Sequence, residues 1–83
     1  MTDSQGILRQ HMKVFGRVQG VGFRYRAKYV ANTLGLTGWV RNDWDGPVEL
    51  EVQGSIEGIN RMLSLMTQGT YIQIEDIERK EIP

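Results

Sequence analysis

Three glycines interrupt the chain at the point where one hydrophobic periodicity gives way to another. Gly16, Gly20 and Gly22 lie in the segment 16–24, which reads GRVQGVGFR. Apolar residues alternate before this segment, as in a strand, and recur at helical spacing after it. Because glycine adopts positive φ angles, successive backbone N–H groups of such a loop can point into one concavity. The sequence therefore predicts a strand, a tight loop and a helix, with room for an anion at the loop.

The helix that follows the glycines adds positive charge at the same place. Its first N–H groups have no intrahelical acceptor, and its dipole is positive at this end. Arg24 lies near this first turn, and a guanidinium can donate to two oxygens of one anion. The combination suits a tetrahedral oxyanion such as phosphate. Glycine spacing alone also occurs in loops without a ligand, where the arginine simply faces solvent, and at this point both interpretations stay open.

Length and composition restrict the class of protein and the kind of site. The 83 residues suit one small domain, predicted over residues 7–83 after a flexible tail over residues 1–6. The lack of Cys excludes disulfides, a thiol nucleophile and a thiolate metal site. The polar start of the chain does not resemble a secretory leader, and no apolar run is long enough for a membrane span. These features predict a cytoplasmic protein that does not bind a membrane.

Charge is unevenly distributed along a chain whose formal net charge is zero. Residues 1–42 contain seven Lys and Arg residues and one acidic residue, whereas residues 43–83 contain three and nine. The glycine segment lies in the positive half, which would attract a small anion. The alternative is that the two halves only pair with each other across the fold. The zero total argues against DNA or RNA as a partner.

Hydrophobic periodicity predicts six elements. A strand over 7–15 has Met12 and Val14 on its buried face and His11 on its polar face, so His11 is expected to be an exposed strand residue. The other elements are a helix over 23–34, strands over 36–42 and 48–53 joined by an Asp-Gly turn, a helix after Ser55 that ends at Gly69, and a last strand from residue 71. This order predicts an α+β, ferredoxin-like split β-α-β fold (βαββαβ), an antiparallel sheet with two helices on one face.

The chain offers few groups for covalent or acid–base catalysis. It has no Cys, His11 is its only His, and no Ser stands beside a plausible base. One dense group of carboxylates could hold a metal ion, but acidic residues on a solvated strand and turn are the favoured explanation. Its members are Asp43, Asp45, Glu49 and Glu51. The prediction is a site without a metal.

Arg24 and Asn42 are the groups that remain. Asn42 ends the second predicted strand, which can approach the glycine loop in this fold, and its amide can hold a water molecule without acting as a base. Such a site can bind a phosphoryl group, stabilise its charge and orient a water in line with it. It suffices only where the leaving group departs readily. A carboxylate does so, because its conjugate acid has a pKa of about 4, and the residues therefore favour a mixed carboxylic–phosphoric anhydride.

Two segments resemble the two signatures of the acylphosphatase family. GRVQGVGFR over 16–24 resembles the first, and GWVRNDWDGPVE over 38–49 resembles the second. The match extends in register from Val14 to Gly54. The resemblance implies hydrolysis of an acyl phosphate to a carboxylate and inorganic phosphate, with no metal and no cofactor.

The resemblance also implies roles for individual residues. Arg24 would bind the phosphate, and Asn42 would position the attacking water. The backbone of a phosphate-binding cradle would come from Gln19, Gly20, Val21, Gly22 and Phe23. The expected partners are a small-molecule acyl phosphate and, as competing anions, inorganic phosphate or sulfate, all bound by a monomer.

Two other functions stay open. The chain could be a non-catalytic anion-binding module of the same fold. RNA-recognition domains share the split β-α-β order, but they stack bases on aromatic residues of the central strands. The third predicted strand has Glu49 and Glu51 instead. Such an acidic face would repel RNA, and no nucleic-acid partner is predicted.

Overall fold

The computed structural model describes residues 6–83, so the predicted tail over residues 1–6 lies, except for Gly6, outside the described residues. The elements follow one another in the predicted order. They are β1 (Leu8–Arg17), α1 (Phe23–Leu34), β2 (Thr37–Asn42), β3 (Val48–Gly54), α2 (Ile56–Thr67) and β4 (Gln73–Ile82). No helix in this range is long and apolar enough to cross a membrane.

The strands form one antiparallel sheet in the order β2-β3-β1-β4. β1 pairs with β3 from Leu8 opposite Gly54 to Val14 opposite Val48, and it pairs with β4 along its other edge. The two helices pack on one face of this sheet. The predicted fold class, an α+β arrangement of the split β-α-β type, is therefore confirmed.

Alternate residues of β1 and β3 form the sheet side of the core. The predicted inward residues are all 2% exposed or less, namely Met12, Val14, Val48, Leu50 and Val52. The helices cover them with residues at helical spacing, namely Phe23, Ala27, Val30, Ile59, Met62 and Met66. Burial of this apolar surface stabilises the fold and holds α1 against the sheet. The position of the first turn of α1 is thereby fixed.

Two strand boundaries differ from the prediction by two residues each, and the other differences are of one residue. β1 extends to Arg17, with a register shift between Phe15 and Gly16, so the first glycine belongs to the strand and not to the loop. β4 begins at Gln73, two residues later than predicted, and continues through the charged end of the chain. Backbone hydrogen bonds to β1 support this strand whatever its side chains are, and charged residues are common on edge strands.

The two helices begin in different ways. Ser55 caps α2 as predicted, because its hydroxyl oxygen accepts a hydrogen bond from the N–H of Gly58 at 3.0 Å. α1 begins after Gly22, which has a φ of 79° and offers no side-chain acceptor. Within the described chain, the first turn of α1 therefore has no side-chain cap.

The helix ends agree with the prediction for α1 and differ for α2. Gly35 follows α1 with a φ of 71°, and the N–H of Leu36 donates to the carbonyl of Ala31 at 2.8 Å, the pattern of a glycine C-terminal cap. α2 ends at Thr67, two residues before Gly69. Gly69, with a φ of 67°, therefore lies in the turn that follows α2 and is not the residue at which the helix ends.

A tight turn places the end of β2 at the same end of the sheet as the end of β1, with the start of β3 between them. The N–H of Asp43 donates to the carbonyl of Pro47 at 2.9 Å, which closes the hairpin between β2 and β3. Asn42 lies opposite Val48, and Val48 lies opposite Val14 on β1. Asn42 and the chain leaving β1 are therefore at the same end of the sheet.

We expect Gly16→Ala to lower the free energy of unfolding by at least about 2 kcal/mol. The φ of Gly16 is 129°, and a Cβ at this position would meet the backbone carbonyl of Gln73 in β4. The matched control is Gly20→Ala, where φ is 74° but no described atom beyond the two neighbouring residues lies within 4 Å of the added Cβ. This control should lose about 1 kcal/mol. Urea denaturation of both variants measures the difference, and equal losses would contradict the importance of the contact with β4.

Candidate active site

A concave site lies where the end of β1, the start of α1 and the end of β2 meet. Its volume is about 340 Å³, and its lining residues are Val18, Gly20, Gly22, Phe23, Arg24, Tyr25 and Asn42. The structure thus brings together Arg24 and Asn42, the two residues predicted to carry the chemistry, from different elements. Of the predicted cradle residues, Gln19 and Val21 lie outside this lining.

Two buried side chains anchor the loop between β1 and α1. Val18 is 1% exposed and Phe23 is 2% exposed, so both belong to the core. Between them, Gly20 and Gly22 have φ angles of 74° and 79°. Apart from the two chain neighbours of each glycine, no atom of the described residues lies within 4 Å of a Cβ built there. Backbone conformation, and not crowding, therefore favours glycine here, and the loop backbone is accessible to a ligand.

The start of α1 gives the site a positive potential. The backbone bond that closes the first turn runs from the N–H of Arg26 to the carbonyl of Gly22 at 2.9 Å. The preceding N–H groups of Phe23, Arg24 and Tyr25 consequently have no intrahelical acceptor. The first turn also contains no acidic side chain. Free donors and the positive end of the helix dipole therefore act on the same concavity.

Arg24 adds a full positive charge to this site. Its side chain is exposed and makes no hydrogen bond or ion pair within residues 6–83. Two positions later, Arg26 donates to the carbonyl of Leu65 at 2.9 Å and ties α1 to α2. Arg26 is thus engaged in the fold, whereas the Arg24 guanidinium is available for a two-point contact with an anion.

Gln19 connects the glycine loop to the turn after β2. Its side-chain amide donates to the backbone carbonyl of Asp43 at 2.6 Å and to that of Pro47 at 3.1 Å. Because Asn42 directly precedes Asp43, these bonds hold the end of β2 against the loop. From the sequence, Gln19 is predicted only as part of the backbone cradle, since no local pattern signals a contact with a residue 24 positions away.

The carboxyl group beside Asn42 belongs to a charged network. The Oδ1 of Asp43 is 3.4 Å from Nε of Arg41, and its Oδ2 is 4.0 Å from Nζ of Lys13. A hydrogen bond between Asp43 and Glu49 is the main reason that the pKa of Asp43 is raised and that of Glu49 is lowered. Cations thus balance these acids, and the lining of the concavity contains no acidic residue among those described.

His11 lies on the helix-free face of the sheet and outside the concavity. Its ring nitrogens are each 3.0 Å from a carboxylate oxygen, one of Glu49 and one of Glu51. The bond with His11 is the main cause that lowers the pKa of Glu51. His11 is one third exposed, less than the sequence predicts for a solvated strand position, because these contacts cover it.

Two of the four carboxylates that could form a metal site accept hydrogen bonds from cationic side chains. Glu51 receives one from Nε of Arg9 at 3.1 Å, and Glu49 receives one from Arg41 at 3.4 Å. In the part of the chain that the structure describes, no three His, Cys, Asp or Glu side chains are grouped to hold a metal ion. Glu49 and Glu51 thus link β3 to side chains of β1 and β2 on the polar face of the sheet.

The arrangement in the concavity restricts its chemistry. Exposed backbone donors, a guanidinium and a carboxamide can bind an anion and orient a water molecule. The lining contains no side chain that acts as a strong base, within the residues described. The site is thus suited to a reaction whose leaving group needs no protonation.

Comparison with known sequences identifies the family. The family model described as acylphosphatase matches residues 10–83. Among curated relatives, the acylphosphatase of Clostridium acetobutylicum is 45% identical over 76 residues, which cover 90% of this chain and 84% of the relative.

Comparison with solved structures agrees with this result. The crystal structure of acylphosphatase from Bacillus subtilis is 36% identical, has a TM-score of 0.81 and is matched over 90% of this chain and 84% of that one. An acylphosphatase structure from Coxiella burnetii is 32% identical and has a TM-score of 0.84. The match covers 96% of this chain and 85% of that one. Because family model, relatives and fold agree over most of its length, the chain belongs to the acylphosphatase family.

Proposed function

We propose that this chain hydrolyses acyl phosphates with a phosphoryl group bound by Arg24 and the glycine loop and a water molecule held by Asn42. The observation that carries this proposal is the convergence of three features on one concavity. They are the guanidinium of Arg24 and the start of α1, neither of which has a side-chain partner among residues 6–83, and the carboxamide of Asn42. The products are a carboxylate and inorganic phosphate.

The positively charged part of the site suits the phosphoryl group. The guanidinium and the backbone N–H groups at the start of α1 donate to its non-bridging oxygens. These oxygens carry the negative charge of the transition state. Donors fixed in advance by the fold do not reorganise during the reaction, and each is typically worth about 3 kcal/mol of transition-state stabilisation.

Asn42 orients the nucleophile and does not deprotonate it. Its side-chain carbonyl accepts a hydrogen bond from the water, whose oxygen then forms the new bond to phosphorus. The bond between phosphorus and the acyl oxygen breaks in line with it, and the carboxylate leaves as an anion. Both hydrogens of the water are carried away by the released phosphate. A carboxylate needs no protonation to leave, so the site requires no general acid.

The same geometry supports some finer expectations. Inorganic phosphate and sulfate should compete for the cradle, since both present the tetrahedral oxygens of the substrate. One chain supplies all the lining residues given above, so a monomer can form the site. The cytoplasmic location stays a prediction from the sequence.

We expect Arg24→Ala to reduce kcat/KM for benzoyl phosphate by about 1000-fold, because the cradle keeps its N–H groups but loses the guanidinium. Hydrolysis is measured with EDTA present, so that divalent metals do not contribute. The matched control is Arg61→Ala, which removes an equal charge from the exposed surface of α2. It should change the rate by less than about threefold.

Two outcomes of this experiment would contradict the proposal in different ways. Normal turnover by Arg24→Ala would show that the phosphate site is elsewhere. A folded wild-type protein that binds inorganic phosphate but does not hydrolyse benzoyl phosphate would support the non-catalytic anion-binding module. Phosphate binding is followed by the NMR amide shifts of residues 16–24.

Asn42→Ala should lower kcat by about 100-fold and leave the inhibition constant of inorganic phosphate within about twofold. The reason is that Asn42 contacts the water and not the anion. Asn32→Ala, an exposed position on α1 outside the site, is the matched control and should retain both values. Steady-state kinetics with phosphate as inhibitor measure the two constants. Parallel loss of rate and phosphate inhibition would argue that Asn42 binds the anion.

Gln19→Ala should lower kcat about tenfold while KM and phosphate inhibition change less than about threefold. The cradle and Arg24 are preserved, but Asn42 loses its fixed distance from them. Gln68→Ala, an exposed glutamine just after α2, is the control. If Gln19→Ala lowers only the Tm and retains kcat, the two hydrogen bonds stabilise the fold and do not position Asn42.

A further inference from the structure

The phosphoryl end of the substrate is held by the cradle, and the acyl group must extend away from it. We propose that the ring of Tyr25 is the contact surface for this acyl group, and that the site therefore favours acyl phosphates with an aromatic or bulky apolar acyl group. This inference rests on the proposed function and adds the substrate class to it.

The argument starts from the exposure of the lining residues. Val18 and Phe23 are buried, so their side chains belong to the core and offer little surface to a ligand. The others are exposed, namely Gly20, Gly22, Arg24, Tyr25 and Asn42. Of these exposed lining residues, Tyr25 alone has a large apolar side chain, and it is 82% exposed. Apolar contact with a bound molecule must therefore come mainly from this ring.

The position of Tyr25 on the helix agrees with this role. It is the third residue of α1 and directly follows Arg24. Side chains of a helix lean toward its N-terminus, which here is the end that binds the phosphoryl group. Aromatic rings attract other rings at centroid distances of 4.5–7 Å, and they cover apolar groups with little loss of conformational freedom. The ring thus borders the path by which the acyl group leaves the cradle.

Two other exposed aromatic residues show that exposure alone does not define this role. Tyr29 lies one helical turn after Tyr25 and is 61% exposed, but it does not line the concavity. Trp44 is 97% exposed on the turn after β2 and is likewise absent from the lining within the described chain. Tyr29 therefore provides a matched control on the same helix.

The test compares two substrates that differ only in the acyl group. kcat/KM is measured for benzoyl phosphate and for acetyl phosphate with the wild type, Tyr25→Ala, Tyr25→Phe and Tyr29→Ala. The ratio of kcat/KM for benzoyl phosphate to kcat/KM for acetyl phosphate should fall about fivefold in Tyr25→Ala, since the ring that contacts the benzoyl group is lost. Tyr25→Phe keeps the ring and Tyr29→Ala keeps Tyr25, so both should retain the wild-type ratio within about twofold.

The outcomes separate this inference from the proposed function. A Tyr25→Ala protein with an unchanged or higher ratio overturns the inference, and so does a ratio that falls equally in Tyr29→Ala. A folded wild type that hydrolyses neither substrate overturns the proposed function itself. Because Tyr25 is largely exposed, its substitution should preserve the fold, which thermal unfolding of each variant checks. A similar fall of this ratio in Tyr25→Phe would show that the preference for benzoyl phosphate depends on the hydroxyl group. That result would also contradict the apolar contact.

Discussion

The double pairing of β1 determines where the functional groups lie. β1 hydrogen-bonds to β3 on one side and to β4 on the other, so its course is fixed along both edges. Gly16 permits this pairing at the end of the strand, where a side chain would meet the backbone of β4. The chain leaves the sheet directly afterwards, and the glycine loop and the start of α1 follow. The cradle therefore takes its position from the most extensively paired strand.

Asn42, the other functional residue of the site, is positioned by a different element, the hairpin of β2 and β3. Gln19 joins this hairpin to the glycine loop, because its amide bonds to the turn that follows Asn42. Some basic residues of the first half of the sequence form ion pairs with acidic residues of the second half, as Arg9 does with Glu51 at 3.0 Å. These pairs lie on the helix-free face of the sheet, whereas Arg24 lies on the concavity without a partner among the described residues. The ion pairs therefore hold the sheet together, while the charge of Arg24 stays available to a ligand.

Periodicity was sufficient to predict the core and the order of the elements. The inward residues of β3 alternate strictly with polar ones, namely Val48, Leu50 and Val52. The start of β4 is predicted two residues too early because residues 71–74 alternate as in a strand, whereas pairing with β1 begins only at Gln73, opposite Arg17. Arg24 and Asn42 could be selected by residue type and resemblance, and the structure places both on one concavity, while their roles stay predictions. The contacts of Gln19 and the placement of Tyr25 had no local signal, because both depend on how distant segments meet.

The open start of α1 has a consequence for the stability of the protein. A side-chain cap is worth about 1 kcal/mol, and none of the described residues supplies one to α1, whereas Ser55 supplies one for α2. An anion bound at this helix end would provide the missing acceptors. A ligand that binds only the folded state stabilises it by about 2.7 kcal/mol when its concentration is 100 times Kd. If inorganic phosphate binds there as proposed, concentrations above its Kd would therefore raise the folded fraction of the protein and protect it from proteolysis.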